Sequence, residues 1–207
     1  MRAALTATAV VAILSAGIAA GATTDTVTLQ ARSTILRTGE FGVGVYGTIS
    51  GAEGEYVAVT GKECGIPGAS FRAIGGATTT AGGNWETTAN INTTTTLRAV
   101  WKEAASDTVV VRARAYVRLA KQRGSFVLTV GLQVGRLDGK RVTIQRLTPS
   151  GWKRVQTVVM KSGGYGAWGE ERGLRFKVPK GTMIRAVLPL AQAKPCYLAG
   201  YSNLVRT

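Results

Sequence analysis

The chain contains no histidine. That absence removes the Ser–His and Cys–His nucleophile pairs and every His-ligated metal site. Cysteine is almost as scarce: Cys64 and Cys196 are the whole complement, too few to complete a zinc site. Acidic residues number 11 against 26 Lys and Arg, and no spacing forces two of them into a catalytic pair. Glu170 and Glu171 are adjacent, so on a strand they face opposite ways. Glu53, Glu55, Glu63 and Glu86 read as solvated surface acids, and Lys161-Ser162 carries no supporting pattern. The glycine pairs Gly75-Gly76, Gly82-Gly83 and Gly163-Gly164 lack the Gly-Lys-Ser/Thr ending of a phosphate loop. They read as tight turns. The expectation is therefore a protein without catalytic residues, bound metal or cofactor, and not an enzyme.

Long apolar runs are also missing, except at the start. Arg2 precedes an almost wholly small and apolar stretch from residue 3 to 20, and Ala20-Gly21-Ala22 fits the small-residue cleavage pattern. Residues 1–22 are read as a signal peptide in preference to a retained anchor, since the run barely reaches spanning length and lacks a flanking basic cluster. The mature chain, from Thr23, is then secreted or associated with the cell envelope.

Helical periodicity is thin and strand periodicity is strong. Phe41, Val43, Val45, Gly47 and Ile49 alternate with Gly42, Gly44, Tyr46 and Thr48. Phe126, Leu128, Val130, Leu132 and Val134 fall on every other position in the second half. Such period-2 patterning indicates sheets with one face packed. Further strands are expected at 27–36, 56–60, 85–89, 97–101, 108–113, 116–119, 141–147, 155–160, 174–178, 183–188 and 203–206. Their density and the short turns between them predict an all-β protein of sandwich type.

The chain also repeats itself. Leu97-Arg98-Ala99-Val100 returns as Ile184-Arg185-Ala186-Val187. In a strand Leu97, Ala99 and Trp101 share the inner face, and Arg98 and Arg185 sit on the reverse. Upstream, Gly54-Glu55-Tyr56-Val57-Ala58-Val59 parallels Gly139-Lys140-Arg141-Val142-Thr143-Ile144; between them Gly82-Gly83-Asn84-Trp85 echoes the stretch from Gly163 to Trp168. Downstream, Ser106-Asp107 and Ser202-Asn203 each precede a valine-containing strand and read as turn formers. Four landmarks in one order indicate a duplicated domain: residues 23–112 and 113–207. The second copy has a longer final loop, 189–200, which contains Cys196.

These landmarks resemble tandem immunoglobulin-like or fibronectin type III-like repeats of secreted actinobacterial proteins. The resemblance covers nearly the whole mature chain and implies two tandem β-sandwich domains that are extracellular and non-catalytic. It carries over no functional residue, and the Cys–Trp–Cys core of antibody domains is absent.

Two cysteines in an exported chain are more often paired than free. A Cys64–Cys196 bridge between the halves is expected, with free thiols or pairing to other chains as the alternative.

Charge is the sharpest functional signal. Residues 23–112 hold 7 basic and 8 acidic side chains, whereas residues 113–207 hold 18 basic and 3 acidic. The basic excess of the mature chain thus lies in its second half, which predicts an anionic partner there. Lys140, Arg141, Lys153, Arg154, Arg172, Arg175 and Lys177 are the candidate contacts. Trp152, Tyr165 and Trp168 could add a stacking platform for a sugar ring or a base, or simply pack against the sheet. The candidate partners are an anionic cell-wall polymer or a membrane surface, with nucleic acid less favoured and no signal for a protein partner. Two readings follow: a structural or adhesive envelope module, and a polyanion-binding protein. Clustering of the basic groups on one face favours the second.

Overall fold

The computed structural model describes residues 25–36, 39–51, 53–161 and 170–207. Their secondary structure is almost entirely strand. In the first half these are β1 (Gln30–Ala31), β2 (Ile35–Leu36), β3 (Val43–Thr48), β4 (Tyr56–Glu63), β5 (Arg72–Thr78), β6 (Asn84–Ala89), β7 (Thr95–Trp101), β8 (Ala104–Ala105) and β9 (Val109–Arg114). The second half continues with β10 (Tyr116–Gln122), β11 (Ser125–Gly131), β12 (Arg141–Thr148), β13 (Gly151–Val159), β14 (Glu170–Leu174) and β15 (Met183–Leu188). A one-turn helix α1 (Leu190–Ala193) then precedes β16 (Tyr197–Leu198), β17 (Gly200–Tyr201) and β18 (Val205–Arg206). No helix among the described residues is long and apolar enough to cross a membrane.

The pairing pattern is written twice. In the first half β1-β3-β6 form one sheet, and β5-β4-β7-β9 the other, with β8 beside β7. In the second half β10-β11-β14 form one sheet and β13-β12-β15-β17 the other, with β18 beside β15. Register repeats as well: Val59 faces Ala99 as Ile144 faces Ala186, and Thr60 faces Arg98 as Gln145 faces Arg185. A β-bulge follows Val59 on the β4–β5 ladder and Ile144 on the β12–β13 ladder. A one-residue slip would turn every buried side chain outward, so matching registers preserve the same inner set: Leu97 and Ala99 in one copy, Ile184 and Ala186 in the other, all fully buried. Burying Leu or Ile to this extent stabilises the fold by about 1.5–3 kcal/mol per side chain.

The repeated serines do more than form turns. Ser106 Oγ accepts the Ala99 N–H at 2.9 Å and donates to the Asp107 carbonyl, while its own N–H donates to the Ala99 carbonyl. Ser202 makes the same three bonds with Ala186 and Asn203. Each serine thus brackets the alanine of Arg-Ala-Val, which explains why those two landmarks recur together.

Several expected elements shift. Gly75-Gly76 is not a turn but the middle of β5. A Cβ on Gly75 would lie 2.9 Å from the Thr88 carbonyl oxygen, and one on Gly76 would lie 2.2 Å from the Tyr56 hydroxyl, so glycine there admits close neighbours rather than a bend. Gly82 and Gly83 do turn the chain, at φ 75° and 73°. The strand expected at 174–178 instead ends at Leu174, because Phe176 leaves the ladder to stack on Phe126 with ring centroids 4.5 Å apart. The long loop 189–200 contains α1 and β16.

That loop links the halves. Cys196 is disulfide-bonded to Cys64. Beyond it, β16 runs parallel to β9, with Tyr197 opposite Ala113 and Leu198 opposite Arg114, while β2 pairs with the other edge of β9. Buried side chains of both halves form one connected cluster.

A candidate anion-binding sheet face

The β13-β12-β15-β17 sheet, with β18, contains no Asp or Glu in any of its strands. It contains Arg141, Arg146, Lys153, Arg154, Arg185 and Arg206. Val142, Ile144, Ile184 and Ala186 are buried in the core, so alternation turns Gln145 and Arg185 to the opposite, outer face. Register places Arg154 and Arg185 on either side of Gln145, Trp152 beside Leu147, Tyr201 beside Val187 and Arg206 beside Met183.

Arg185 organises this face. Its guanidinium lies 4.0 Å from the centroid of the Trp152 ring and 5.3 Å from that of Tyr201. Its Nε donates to Gln145 Oε1 at 2.9 Å. A planar cation set against aromatic faces is held by the ring quadrupole, and the remaining guanidinium donors keep the fork geometry suited to carboxylate or phosphate.

The first half has the same device in a different electrostatic setting. Arg98 lies 4.2 Å from the Phe71 ring centroid, and register makes Phe71 the counterpart of Trp152. The repeated arginine is thus first a structural stack on the outer sheet face. On the opposite side of that sheet, the side of buried Leu97 and Thr95, Glu63 at the end of β4 pairs with Arg72 at 2.6 Å. The corresponding positions in the second half are Thr148 and Lys153, so this strand end has a cation without a carboxylate beside it.

None of the three acids of the second half compensates. Asp138 pairs with Arg136 at 3.0 Å. Glu170 pairs with Arg172 at 3.4 Å and accepts the Lys161 N–H. Glu171 accepts the Thr129 hydroxyl at 3.3 Å on the other sheet.

The residues singled out from sequence fall into three places. Arg141, Lys153, Arg154 and Trp152 belong to the acid-free sheet; the first three are exposed, and Trp152 is half-buried beneath Arg185. Lys140 lies just before it, its ammonium donating to the Gln192 carbonyl, while the Arg141 N–H donates to Gln192 Oε1. Arg172 turns inward, donating to the Val159 carbonyl at 3.1 Å as well as to Glu170, and ties the edge of one sheet to the other. Arg175 and Lys177 flank the stacked Phe176 and are exposed. Tyr165 and Trp168 lie outside the described residues, as do Gly163-Gly164 and residues 1–22.

Sequence reading missed Arg206, Tyr201 and Gln145 as members of this face, and gave Arg185 no role there. The repeat was the available signal for Arg185, and Ser70-Phe71-Arg72 against Gly151-Trp152-Lys153 was a further landmark. Tyr201 has no counterpart in the first half, where Ala105 holds its place.

No group of three or more metal-ligating His, Cys, Asp or Glu side chains occurs among the described residues. No protein-family model matches the chain, and no curated protein matches it.

Proposed function

We propose that this chain is an exported, non-catalytic protein of the cell envelope or extracellular space, built from two immunoglobulin-like or fibronectin type III-like sandwich repeats. Its second repeat holds it to an anionic polymer or surface through the acid-free sheet. The observation that carries this reading is the absence of any carboxylate from the strands of that sheet, while four cations, Arg141, Arg154, Arg185 and Arg206, share its outer face. Exposed like charges without countercharges create a positive potential that attracts polyanions. A phosphate- or carboxylate-bearing wall polymer is the partner favoured for an exported chain; lipid headgroups and nucleic acid share the same chemistry.

The repeated three-and-four strand pairing supports the sandwich assignment. The Cys64–Cys196 bridge supports an oxidising compartment. A purely structural or adhesive module is the second reading, and the grouping of cations on one sheet weighs against it.

The test is retention of the mature chain, residues 23–207, on immobilised poly(glycerol phosphate). Binding at low salt that is lost near ~1 M salt, where the screening length is about 3 Å, supports docking. Absence of retention at low salt leaves the structural module. The intact chain is required, because β16 pairs into the sheet of the first half.

A further inference from the structure

The second half has another outer sheet face besides the basic one. Its other sheet turns an outer face toward the first half. Leu119, Leu128 and Val130 are buried in the core, so Arg118, Thr129 and Glu171 face outward, in one row across β10, β11 and β14. This row and Phe41 of the first half line one cleft of about 520 Å³. That volume lies in the range of small-molecule sites, which favour junctions between domains. One wall is Tyr197 on β16, a buried residue whose hydroxyl accepts the Val134 N–H at 2.9 Å. The Cys64–Cys196 bridge and the β9–β16 pairing hold the two sides together, so the recess is formed before any ligand arrives.

The lining has a different chemistry from the basic sheet. Arg114 and Arg118 are matched by Glu40 and Glu171. A charge-balanced lining offers no net attraction to a polyanion. Nor does it suit a lipid chain, since burying guanidinium, amide and carboxylate groups against hydrocarbon without partners is costly. What remains is a ligand with apolar faces and many neutral hydrogen-bonding groups. Phe41 and Tyr116 supply the ring surfaces. The side chains of Arg118, Asn92 and Gln133 make no hydrogen bond or ion pair among the described residues. Guanidinium, amide and carboxylate are all planar two-point groups, and each can bracket a pair of neighbouring hydroxyls.

We propose that this cleft binds a neutral saccharide, with pyranose faces on Phe41 and Tyr116 and hydroxyls held by Arg118, Asn92, Gln133 and Glu171. The site is separate from the anion-binding sheet and does not depend on it.

The test uses the oxidised mature chain with four neutral probes: N-acetylchitotriose, cellotriose, maltotriose and mannotriose. Amide NMR at about 10 mM probe detects even millimolar affinity. At least one probe is expected to shift the amides of Tyr116, Arg118 and Gln133, with an affinity unchanged between low salt and ~1 M salt. Phe41 is 58% exposed, so Phe41→Ala leaves the core intact; it and Tyr116→Ala are each expected to weaken binding about tenfold, or ~1.4 kcal/mol. The double variant Arg154→Gln/Arg206→Gln, on the other sheet, is expected to bind the saccharide as the parent does. The inference is overturned if none of the four probes shifts those amides. It is equally overturned if Phe41→Ala and Tyr116→Ala, with native near-UV spectra, bind unchanged.

Discussion

Replacing both Cys64 and Cys196 with alanine removes the covalent link between the halves. The bridge closes a loop of sequence separation 132. For a loop of that length the chain-entropy relation gives about 5 kcal/mol at 25 °C, and residual denatured-state structure lowers the expected effect to ~3–5 kcal/mol. That is a large fraction of the ~5–15 kcal/mol typical of a folded domain. Alanine is chosen because Cys196 is buried, 4% exposed, and a serine hydroxyl there would need a partner. Urea unfolding followed by tryptophan fluorescence, with parent and double variant compared, gives the difference from the two midpoints. The core tryptophans Trp85 and Trp101 report on the first half and Trp152 on the second. A loss below about 1 kcal/mol would refute the loop-closure argument. Separate alkylated Cys64 and Cys196 peptides from the unreduced protein would refute the bridge itself.

The bracketing serines give a matched pair. Ser202→Ala strands the Ala186 N–H in a buried site and is expected to cost ~1–3 kcal/mol, with Ser106→Ala, in a less buried setting, costing less; thermal melts of the two variants check the order. Gly47→Ala would place a Cβ 2.0 Å from the Thr28 carbonyl oxygen and is expected to lower the melting temperature sharply. Gly173→Ala, with no atom within 4 Å, is expected to be near neutral. If the signal-peptide reading holds, protein recovered from culture medium has the intact mass of a chain beginning at Thr23, and a membrane-bound species retaining residues 1–22 would contradict it.

Much of the fold was legible because two copies constrain each other. Alternation alone located β3, β7, β11, β12 and β15, and the Arg-Ala-Val repeat identified the two strands that later proved equivalent in register. Strand β5 was not legible, since its Gly75-Gly76 centre matches turn composition; only the Tyr56 ring and the Thr88 backbone above it reveal why glycine is needed. The course of residues 174–178 was obscured for another reason. Phe126 and Phe176 lie far apart in the chain, and their stacking overrides a local alternation that would otherwise extend β14. For the candidate site, net charge by halves pointed to the half that contains the acid-free sheet, and Arg141, Lys153 and Arg154 were readable as exposed cations. The inward turn of Arg172 was not, because its partner Val159 lies on another sheet. Arg185 was visible as a repeat landmark, but its stacking between Trp152 and Tyr201 depends on β13, β15 and β17 lying side by side.

The central claim is that the acid-free sheet, rather than net charge in general, holds the anionic partner. It is tested by titrating poly(glycerol phosphate) into two triple variants of the mature chain at several salt concentrations. One carries Arg141→Gln, Arg154→Gln and Arg206→Gln on the sheet. The other carries Lys121→Gln, Arg123→Gln and Arg175→Gln, exposed cations of the same half at the end of its other sheet. Net charge is equal in the two. The sheet variant is expected to lose most of its low-salt affinity, with the slope of log affinity against log salt reduced by about one per phosphate contact removed. The other variant should retain the parent's slope within about one unit. Equal losses in the two variants would rule out the sheet as the docking face and leave only non-specific attraction to a basic protein.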